Sequence, residues 1–294
     1  MNFKEQMDTK IAGIEEILKK YLPWEEGPQK LIAEAMNYSV NAGGKRLRPM
    51  LMLETYRMFG GEGKAIEPFM AAQEMIHTYS LVHDDLPAMD NDEYRRGKKT
   101  TWTVYGEDMA ILAGDGLLNY AFETALTAFG QADAEAVAQC LKILAGKAGI
   151  NGMIGGQVVD VLSEEKRIDM ETLLFIHRNK TSALIQSSMM IGAVLAGASA
   201  EAVEKIEKIG EDIGLAFQIQ DDILDVTSSL EVLGKPVHSD EKNEKTTYLT
   251  LEGLEKSQKD VEEISRRAME GLSSFEQKNP FLIRLVEMLI HREK

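Results

Sequence analysis

The segment IEKIGEDIGLAFQIQDDILD, residues 206–225, decides the fold. Apolar side chains recur in it every three or four residues, first as isoleucines and then as Phe217. That spacing is typical of an α-helix with one buried face. The same row continues four residues further on to Asp221 and then to Asp225. The segment therefore predicts a helix whose buried face ends in two carboxylates, which project together because four residues make about one turn.

The rest of the sequence also favours helix. It combines 44% hydrophobic with only 6% aromatic residues, and Ala, Leu, Ile, Met, Glu and Lys are abundant. None of the seven prolines falls between Pro87 and Pro236, so this stretch can consist of helices separated by short turns. We therefore predict an all-α fold. Helices are expected at about residues 3–20, 28–43, 49 onward, 68–86, 108–129, 133–150, 152–163, 169–197, 200–228, 253–273 and 280–291, with loops at 88–107 and 229–247.

The organisation of the chain favours one domain. The sequence shows no repeat of fixed period, no low-complexity tract and no convincing linker, so we predict a single domain over residues 1–294. The formal net charge is -15. Because a protein that binds nucleic acid normally carries a basic face, we expect no nucleic-acid partner.

Three features bear on the cellular location. The single cysteine, Cys140, excludes an internal disulfide and suits a reducing cytosol. Residues 1–6 contain no apolar signal core. The longest apolar run, residues 189–200, is too short to cross a bilayer. We expect a cytoplasmic protein without stable membrane insertion.

A second carboxylate pair stands at the end of the predicted helix 68–86. His77, Ser80 and Asp84 fall on one stripe of that helix, with Asp85 beside them. The simplest interpretation of a lone Asp-Asp pair is a solvated surface. Carboxylates that continue inward-facing rows need a cation instead, and clustered oxygen ligands suit Mg²⁺.

Asp90 belongs to the same proposed site. On an unbroken helix it would point about 120° away from Asp84. Pro87 breaks the helix between them, so the chain can fold back and present Asp90 to the same ion.

Two basic clusters stand out in this acidic chain. One is Lys45-Arg46-Leu47-Arg48 and the other Arg95-Arg96-Gly97-Lys98-Lys99. Each could be a solvated loop. Because arginine forks match phosphate oxygens, basic clusters combined with metal-binding carboxylates indicate a polyanionic substrate, with two diphosphates as a reasonable hypothesis.

Over nearly its whole length the chain resembles the short-chain polyprenyl (isoprenyl) diphosphate synthases, and within them the bacterial farnesyl diphosphate synthases. Several elements in the family's order carry the resemblance. They are GGKRLRP (43–49), DDLPAMD (84–90), RRG (95–97), KT (180–181), FQ (217–218), DDILD (221–225) and GK (234–235).

The resemblance implies a fold and a metal centre. The fold is one large helical bundle around a central cavity, of the isoprenoid synthase type and paired as a homodimer. The centre holds about three Mg²⁺ ions with the allylic diphosphate. The residues assigned to metal binding are Asp84, Asp85, Asp90, Asp221 and Asp225, of which Asp84, Asp90 and Asp221 are expected to be direct ligands.

The resemblance also assigns the substrate contacts. Isopentenyl diphosphate is assigned to Lys45, Arg48, His77 and Arg96. The allylic diphosphate is assigned to Arg95, Lys180, Thr181, Gln218 and Lys235. Lys180, Thr181 and Gln218 are also the expected catalytic residues, because their oxygens can stabilise an allylic carbocation.

The product length is expected from the residues before Asp84. Tyr79 lies five residues earlier, about 7.5 Å along the helix axis, and would block a growing chain. Ser80 is small and leaves room above it. In relatives with this type of motif an aromatic at this position accompanies a C15 product, so we predict farnesyl diphosphate.

Several alternatives stay open at this point. A geranylgeranyl diphosphate synthase shares these motifs. A non-catalytic partner subunit should have lost one or more ligands. A terpene cyclase would normally lack the second Asp-Asp-x-x-Asp motif and the GGKRLRP loop.

Overall fold

The computed structural model describes residues 2–164, 166–227 and 246–290. Helices dominate these ranges and confirm the predicted all-α class. They are α1 (Phe3–Tyr21), α2 (Lys30–Val40), α3 (Leu47–Met58), α4 (Glu67–Asp84), α5 (Thr101–Tyr105), α6 (Glu107–Leu126), α7 (Ala134–Ala148), α8 (Met153–Leu162), α9 (Met170–Ile176), a π-helix here named π1 (His177–Ser182), α10 (Ala183–Leu195), α11 (Ala200–Thr227), α12 (Tyr248–Glu252), α13 (Leu254–Ser273) and α14 (Pro280–Ile290), together with the strands β1 (Tyr94–Arg95) and β2 (Lys98–Lys99).

The chain divides into two compact units. The first comprises Met1–Leu53 and Glu62–Leu141, and the second Glu54–Gly61 and Lys142–Lys294. A compact unit is not by itself a separately folding domain, so the single domain 1–294 stays a prediction.

Each unit is built around one helix. In the first, α4 packs against α1, α2 and α6. In the second, α11 packs against π1, α10, α13 and α14. Within the described ranges, none of these helices combines the length and the apolar character that crossing a membrane requires.

Four of the predicted helix starts are confirmed by side-chain hydrogen bonds. Polar residues that precede four helices accept a bond from a backbone N–H of the first turn, which satisfies donors that have no partner inside the helix. They are Asp133 (3.0 Å), Asp169 (2.9 Å), Ser199 (3.3 Å) and Asn279 (3.0 Å).

The predicted loop at 88–107 is wrong in part, because it contains a β-hairpin and the helix α5. The strands β1 and β2 are antiparallel, and the two turn residues between them, Arg96 and Gly97, have φ angles of 54° and 74°. Positive φ at both positions is the geometry of the tight hairpin turn. The hydroxyl of Thr100 donates to the carbonyl of Asp92 at 2.8 Å and fixes the entry to α5. The dense charge of this segment conceals the hairpin in the sequence.

The predicted continuous helix at 169–197 is also wrong, because π1 interrupts it. Close packing surrounds the interruption. A Cβ at Gly156 of α8 would lie 2.3 Å from the backbone nitrogen of Lys180. A Cβ at Gly214 of α11 would lie 2.3 Å from Ser182 Oγ. Two neighbouring helices thus approach the π-helix where only glycine fits. π-Helices are often found at functional sites, and this one contains Lys180 and Thr181.

We expect Gly214→Ala to destabilise the protein by about 1–3 kcal/mol, because the added methyl group would overlap Ser182 in a packed interface. Urea unfolding followed by circular dichroism measures the change. Gly13→Ala is the matched control, since Gly13 lies inside α1 with nothing within 4 Å of the added Cβ. It should stabilise by about 0.5–1 kcal/mol. Equal effects of the two substitutions would contradict the packing argument.

Candidate active site

The chain reverses direction immediately after α4. The backbone N–H of Asp90 donates to the carbonyl oxygen of Asp84 at 2.8 Å, and the N–H of Asn91 donates to that of Leu86 at 3.1 Å. Asn91 closes the turn with a φ of 55°. The fold-back that Pro87 predicts is therefore present. It brings the backbones of Asp84 and Asp90 together, with Asp84 half-buried and Asp90 exposed.

The donor chemistry here suits a hard cation that shares its ligands with a substrate. In the part of the chain that the structure describes, no group of three or more His, Cys, Asp and Glu side chains is placed to hold an ion alone. Mg²⁺ typically binds through one or two carboxylates, several waters and substrate phosphate oxygens. The pair Asp84 and Asp90 fits this mode of binding and does not form a closed protein cage.

Asp85 is held by Arg95. Arg95 Nε and Nη2 each lie 2.6 Å from Asp85 Oδ1. Burial raises the pKa of the Asp85 carboxyl, and the hydrogen bond and charge of Arg95 act in the opposite direction. The Asp85 carboxylate is thus engaged with Arg95. Arg95 would have to share or exchange this partner to reach a diphosphate.

Four arginines concentrate positive charge around His77. Burial lowers the pKa of His77 well below its ordinary value, and Arg48, Arg96, Arg95 and Arg46 lower it further. Three of the residues predicted to bind isopentenyl diphosphate, Arg48, His77 and Arg96, therefore lie in one electrostatic neighbourhood. The fourth, Lys45, is exposed in the loop that precedes α3.

Arg48 has donor capacity to spare. Its Nε is buried and has no hydrogen-bond partner within residues 2–164, 166–227 and 246–290. Burial lowers the pKa of Arg48 to about 10, against the attraction of Glu74. A buried donor that lacks an acceptor is costly, so the arrangement favours an incoming anion.

The hairpin reaches this cluster by docking on the loop between α2 and α3. The Arg96 guanidinium donates to the carbonyl of Gly43. A Cβ at Gly44, whose φ is 135°, would lie 2.5 Å from Arg96 Nη1. Tyr38 OH donates to the carbonyl of Lys99 at 2.6 Å. The two glycines of the GGKRLRP motif thus admit the arginine of the second basic cluster.

Arg46 corrects the sequence interpretation of the first basic cluster. Its Nη1 lies 2.8 Å from Glu74 Oε1, and its Nη2 donates to the carbonyl of Val40 at 2.7 Å. Both side chains of this ion pair are only 3% exposed. Arg46 therefore joins the loop to α4, which leaves its sequence neighbours Lys45 and Arg48 as the candidate substrate contacts of that cluster. Removing one member of such a pair would leave a buried charge uncompensated.

Tyr79 and Ser80 lie on α4 before the aspartates. Tyr79 is buried, and its hydroxyl has no hydrogen-bond partner among the described residues. Burial, and then the charge of Asp84, raise the pKa of Tyr79 to about 12. Ser80 is half-buried and donates to the carbonyl of His77 at 2.9 Å. The tyrosine is therefore a closely packed phenol near Asp84.

In the second unit, Thr181 and Gln218 form one hydrogen-bonded chain. Thr181 Oγ1 donates to Gln218 Oε1 at 3.1 Å, and Gln218 Nε2 donates to Asp222 Oδ1 at 3.4 Å. The other Asp222 oxygen accepts from the backbone of Tyr248 at 2.9 Å. Because the Thr181 hydroxyl donates its hydrogen bond to Gln218, the lone pairs of the hydroxyl oxygen remain available to a cation.

Lys180 is paired with Asp160 of α8. Its Nζ lies 2.5 Å from Asp160 Oδ2, and the Asp160 side chain is 8% exposed. In the sequence Asp160 is equally compatible with cavity lining and with helix packing. A separation of 20 residues carries no periodic signal, so only the fold reveals this pair.

The second aspartate motif lies at the end of α11. Asp225 is buried and Asp221 half-buried, as is Phe217. The predicted inward row is therefore buried at Asp225 and partly open at the two preceding positions. Lys235, the remaining predicted contact of the allylic diphosphate, lies outside the described residues.

Comparison with known proteins identifies the family. A family model described as "Polyprenyl synthetase" matches residues 29–280. The chain belongs to this family. It is accordingly a prenyltransferase of isoprenoid biosynthesis, a short-chain prenyl diphosphate synthase.

The relatives of this synthase differ in their products. A geranylgeranyl diphosphate synthase of Cyanophora paradoxa is 43% identical, over 95% of this chain and 93% of its own. A farnesyl diphosphate synthase of Geobacillus stearothermophilus is 44% identical, over 86% of each chain. The crystal structure of a geranyltransferase from Helicobacter pylori, complexed with magnesium and isoprenyl diphosphate, has a TM-score of 0.83 at 31% identity. That alignment covers 99% of this chain and 97% of the other.

We expect the free energy of unfolding to decrease as the pH is lowered below about 6.5, the ordinary pKa of histidine. The folded protein keeps His77 neutral while the unfolded chain takes up a proton, so acid favours unfolding by up to about 1.4 kcal/mol per pH unit. Urea unfolding at pH 7.5 and pH 5.5 measures this. In His77→Asn the loss should be smaller, and the difference between the two proteins cancels other titrating groups. The same pH dependence in both would contradict the assignment.

Proposed function

We propose that this chain is a farnesyl diphosphate synthase, which condenses isopentenyl diphosphate with dimethylallyl diphosphate and then with geranyl diphosphate. The observation that carries the C15 product is the buried Tyr79 next to Asp84 on α4. Relatives of similar identity make either C15 or C20 products, so the comparisons leave the product length open.

Isopentenyl diphosphate binds, in this proposal, to Lys45, Arg48, His77 and Arg96. Support comes from the shared electrostatic neighbourhood of three of them and from the unsatisfied Nε of Arg48. Arginine forks can take two phosphate oxygens at once, which suits a diphosphate. Neutral His77 adds a hydrogen-bond donor or acceptor without further positive charge.

The allylic diphosphate and Mg²⁺ are proposed to be held mainly through the aspartate motifs. Asp84, Asp90 and Asp221 are the proposed direct ligands, and Asp85 and Asp225 act through water or hydrogen bonds. Bound Mg²⁺ supplies positive charge that stabilises the departing diphosphate. The Helicobacter pylori structure with magnesium and isoprenyl diphosphate supports this assignment by similarity.

Cationic side chains complete the proposed diphosphate site. They are Arg95, Lys180 and Lys235. Arg95 and Lys180 each hold a carboxylate in the structure, Asp85 and Asp160 respectively. Because a diphosphate carries more negative charge than either carboxylate, it can compete for both cations.

The carbon chemistry needs no protein nucleophile. As the allylic C–O bond ionises, Thr181 Oγ1, Gln218 Oε1 and the Lys180 carbonyl oxygen direct lone pairs to the carbocation. The double bond of isopentenyl diphosphate then attacks C1 of the allylic cation. A proton leaves the adduct, and the released diphosphate accepts it. The contact between Thr181 and Gln218 at 3.1 Å supports a concerted placement of these oxygens.

The remaining proposals concern the protein's surroundings. We propose one domain over residues 1–294, a homodimer, a cytoplasmic location and small-molecule diphosphates as partners. A geranylgeranyl diphosphate synthase is the alternative that the Cyanophora paradoxa relative favours. A non-catalytic partner subunit is disfavoured because both aspartate motifs are intact.

We expect the purified protein to convert isopentenyl and dimethylallyl diphosphates, with Mg²⁺, into a C15 diphosphate. Mass spectrometry of the products measures this. Addition of EDTA should abolish the product and excess Mg²⁺ should restore it. A main product of C20 would refute the farnesyl assignment. No condensation with either dimethylallyl or geranyl diphosphate would favour the partner-subunit alternative.

We expect Tyr79→Ala to lengthen the product from C15 to C20 or beyond, because it removes the buried phenol that is proposed to block the growing chain. The same mass spectrometric assay measures the distribution. The matched control is Tyr94→Ala, since Tyr94 is 61% exposed in the hairpin and should leave the length unchanged. An unchanged product from Tyr79→Ala would contradict the proposal that Tyr79 limits the product length.

A further inference from the structure

The ring of Tyr79 packs against a second ring on the same face of α4. The centroids of Tyr79 and His83 lie 5.8 Å apart with an interplanar angle of 81°, an edge-to-face arrangement. They are four residues apart, so His83 lies one turn nearer the aspartates. Such ring pairs have a preferred geometry, and the position of one ring therefore constrains the other.

His83 is in turn fixed by α6. Its Nε2 lies 3.0 Å from the carbonyl oxygen of Ile111. A Cβ at Gly114 would lie 2.1 Å from His83 Nε2 and 2.4 Å from Cδ2. The imidazole thus occupies the space that any larger residue at position 114 would need.

Packing alone holds the Tyr79 ring among the described residues. Its hydroxyl is buried and makes no hydrogen bond there, so no polar contact sets its orientation. The edge contact with His83 is therefore an important restraint on the direction in which the phenol points. A phenol in another rotamer would block the growing chain at a different depth.

We propose that His83, seated on Gly114, is a positioning residue that sets the product length by holding Tyr79 across the path of the growing chain. His83 shows no metal-ligand spacing in the sequence, so spacing alone assigns it no role. The inference rests on the proposed synthase function and deepens it. It adds two residues, His83 and Gly114, to those that determine chain length.

Two substitutions test it from opposite sides. Gly114→Ala adds a methyl group where the His83 ring lies, and His83→Gln removes the ring while keeping a side-chain donor for Ile111. In both we expect the ratio of C20 to C15 product to rise roughly two- to tenfold, the range that the loss of one aromatic pair would produce. The rate of the first condensation, from dimethylallyl to geranyl diphosphate, should change less than this ratio.

Gly13→Ala is the control, because the methyl group it adds to a helix has no neighbouring atom within 4 Å. It should keep the wild-type ratio of C20 to C15 product. Circular dichroism shows which variants fold. If Gly114→Ala does not fold, His83→Gln decides, since it adds no atom at position 114. Wild-type ratios in the folded variants, with a longer product from Tyr79→Ala, would overturn the inference alone. No prenyl product from the wild-type protein would overturn the proposed function as well.

Discussion

The reversal after α4 connects the candidate metal-binding aspartates of the first unit with the two arginines of the hairpin. Pro87 has no N–H and cannot continue the helix, and the N–H of Asp90 bonds back to the carbonyl of Asp84 instead. This one backbone hydrogen bond brings the backbones of Asp84 and Asp90 together. It also directs the chain into the hairpin, whose Arg95 holds Asp85 and whose Arg96 docks on Gly43. The placement of these aspartates and arginines thus depends on one turn.

The electrostatics of this region run against those of the chain as a whole. The protein has a formal net charge of -15, yet four arginines act on a single histidine. Two of the four are paired with buried carboxylates, Arg46 with Glu74 and Arg95 with Asp85, which leaves the charges of Arg48 and Arg96 as a surplus among the described residues. A histidine with a lowered pKa adds no charge to this surplus. The region is therefore complementary to a compact anion and would repel a cationic ligand.

Much of the fold follows from helical periodicity and from helix starts such as Asp169 and Asn279, because those signals are local. The structure departs from the sequence-based expectation where non-local packing decides. The hairpin is concealed in the sequence because its strands consist mainly of charged residues, and its turn residue Arg96 contacts Gly43, 53 residues earlier in the chain. The π-helix packs closely against Gly156 of α8 and Gly214 of α11, which no single-sequence pattern connects.

The site shows the same division. Asp84, Asp85 and Asp90 could be grouped from spacing and one proline, since all three lie in one short segment. The pairs Arg46–Glu74 and Lys180–Asp160 join residues 28 and 20 positions apart. Sequence spacing therefore could not distinguish an arginine that joins two elements from one that is a candidate substrate contact, and the contacts of Arg46 with Glu74 and Val40 were needed to separate it from Arg48.

The π-helix also limits how the length of this chain can change. Residues 177–182 close hydrogen bonds five residues apart, so one deletion there could restore an ordinary α-helix. It would also rotate everything that follows by about 100°. Because α10 is buried at every position from 183 to 194, that rotation would replace each of its contacts at once. Insertions and deletions can accumulate in the surface loops, whereas the segment between Ile176 and Ala183 must keep its number of residues.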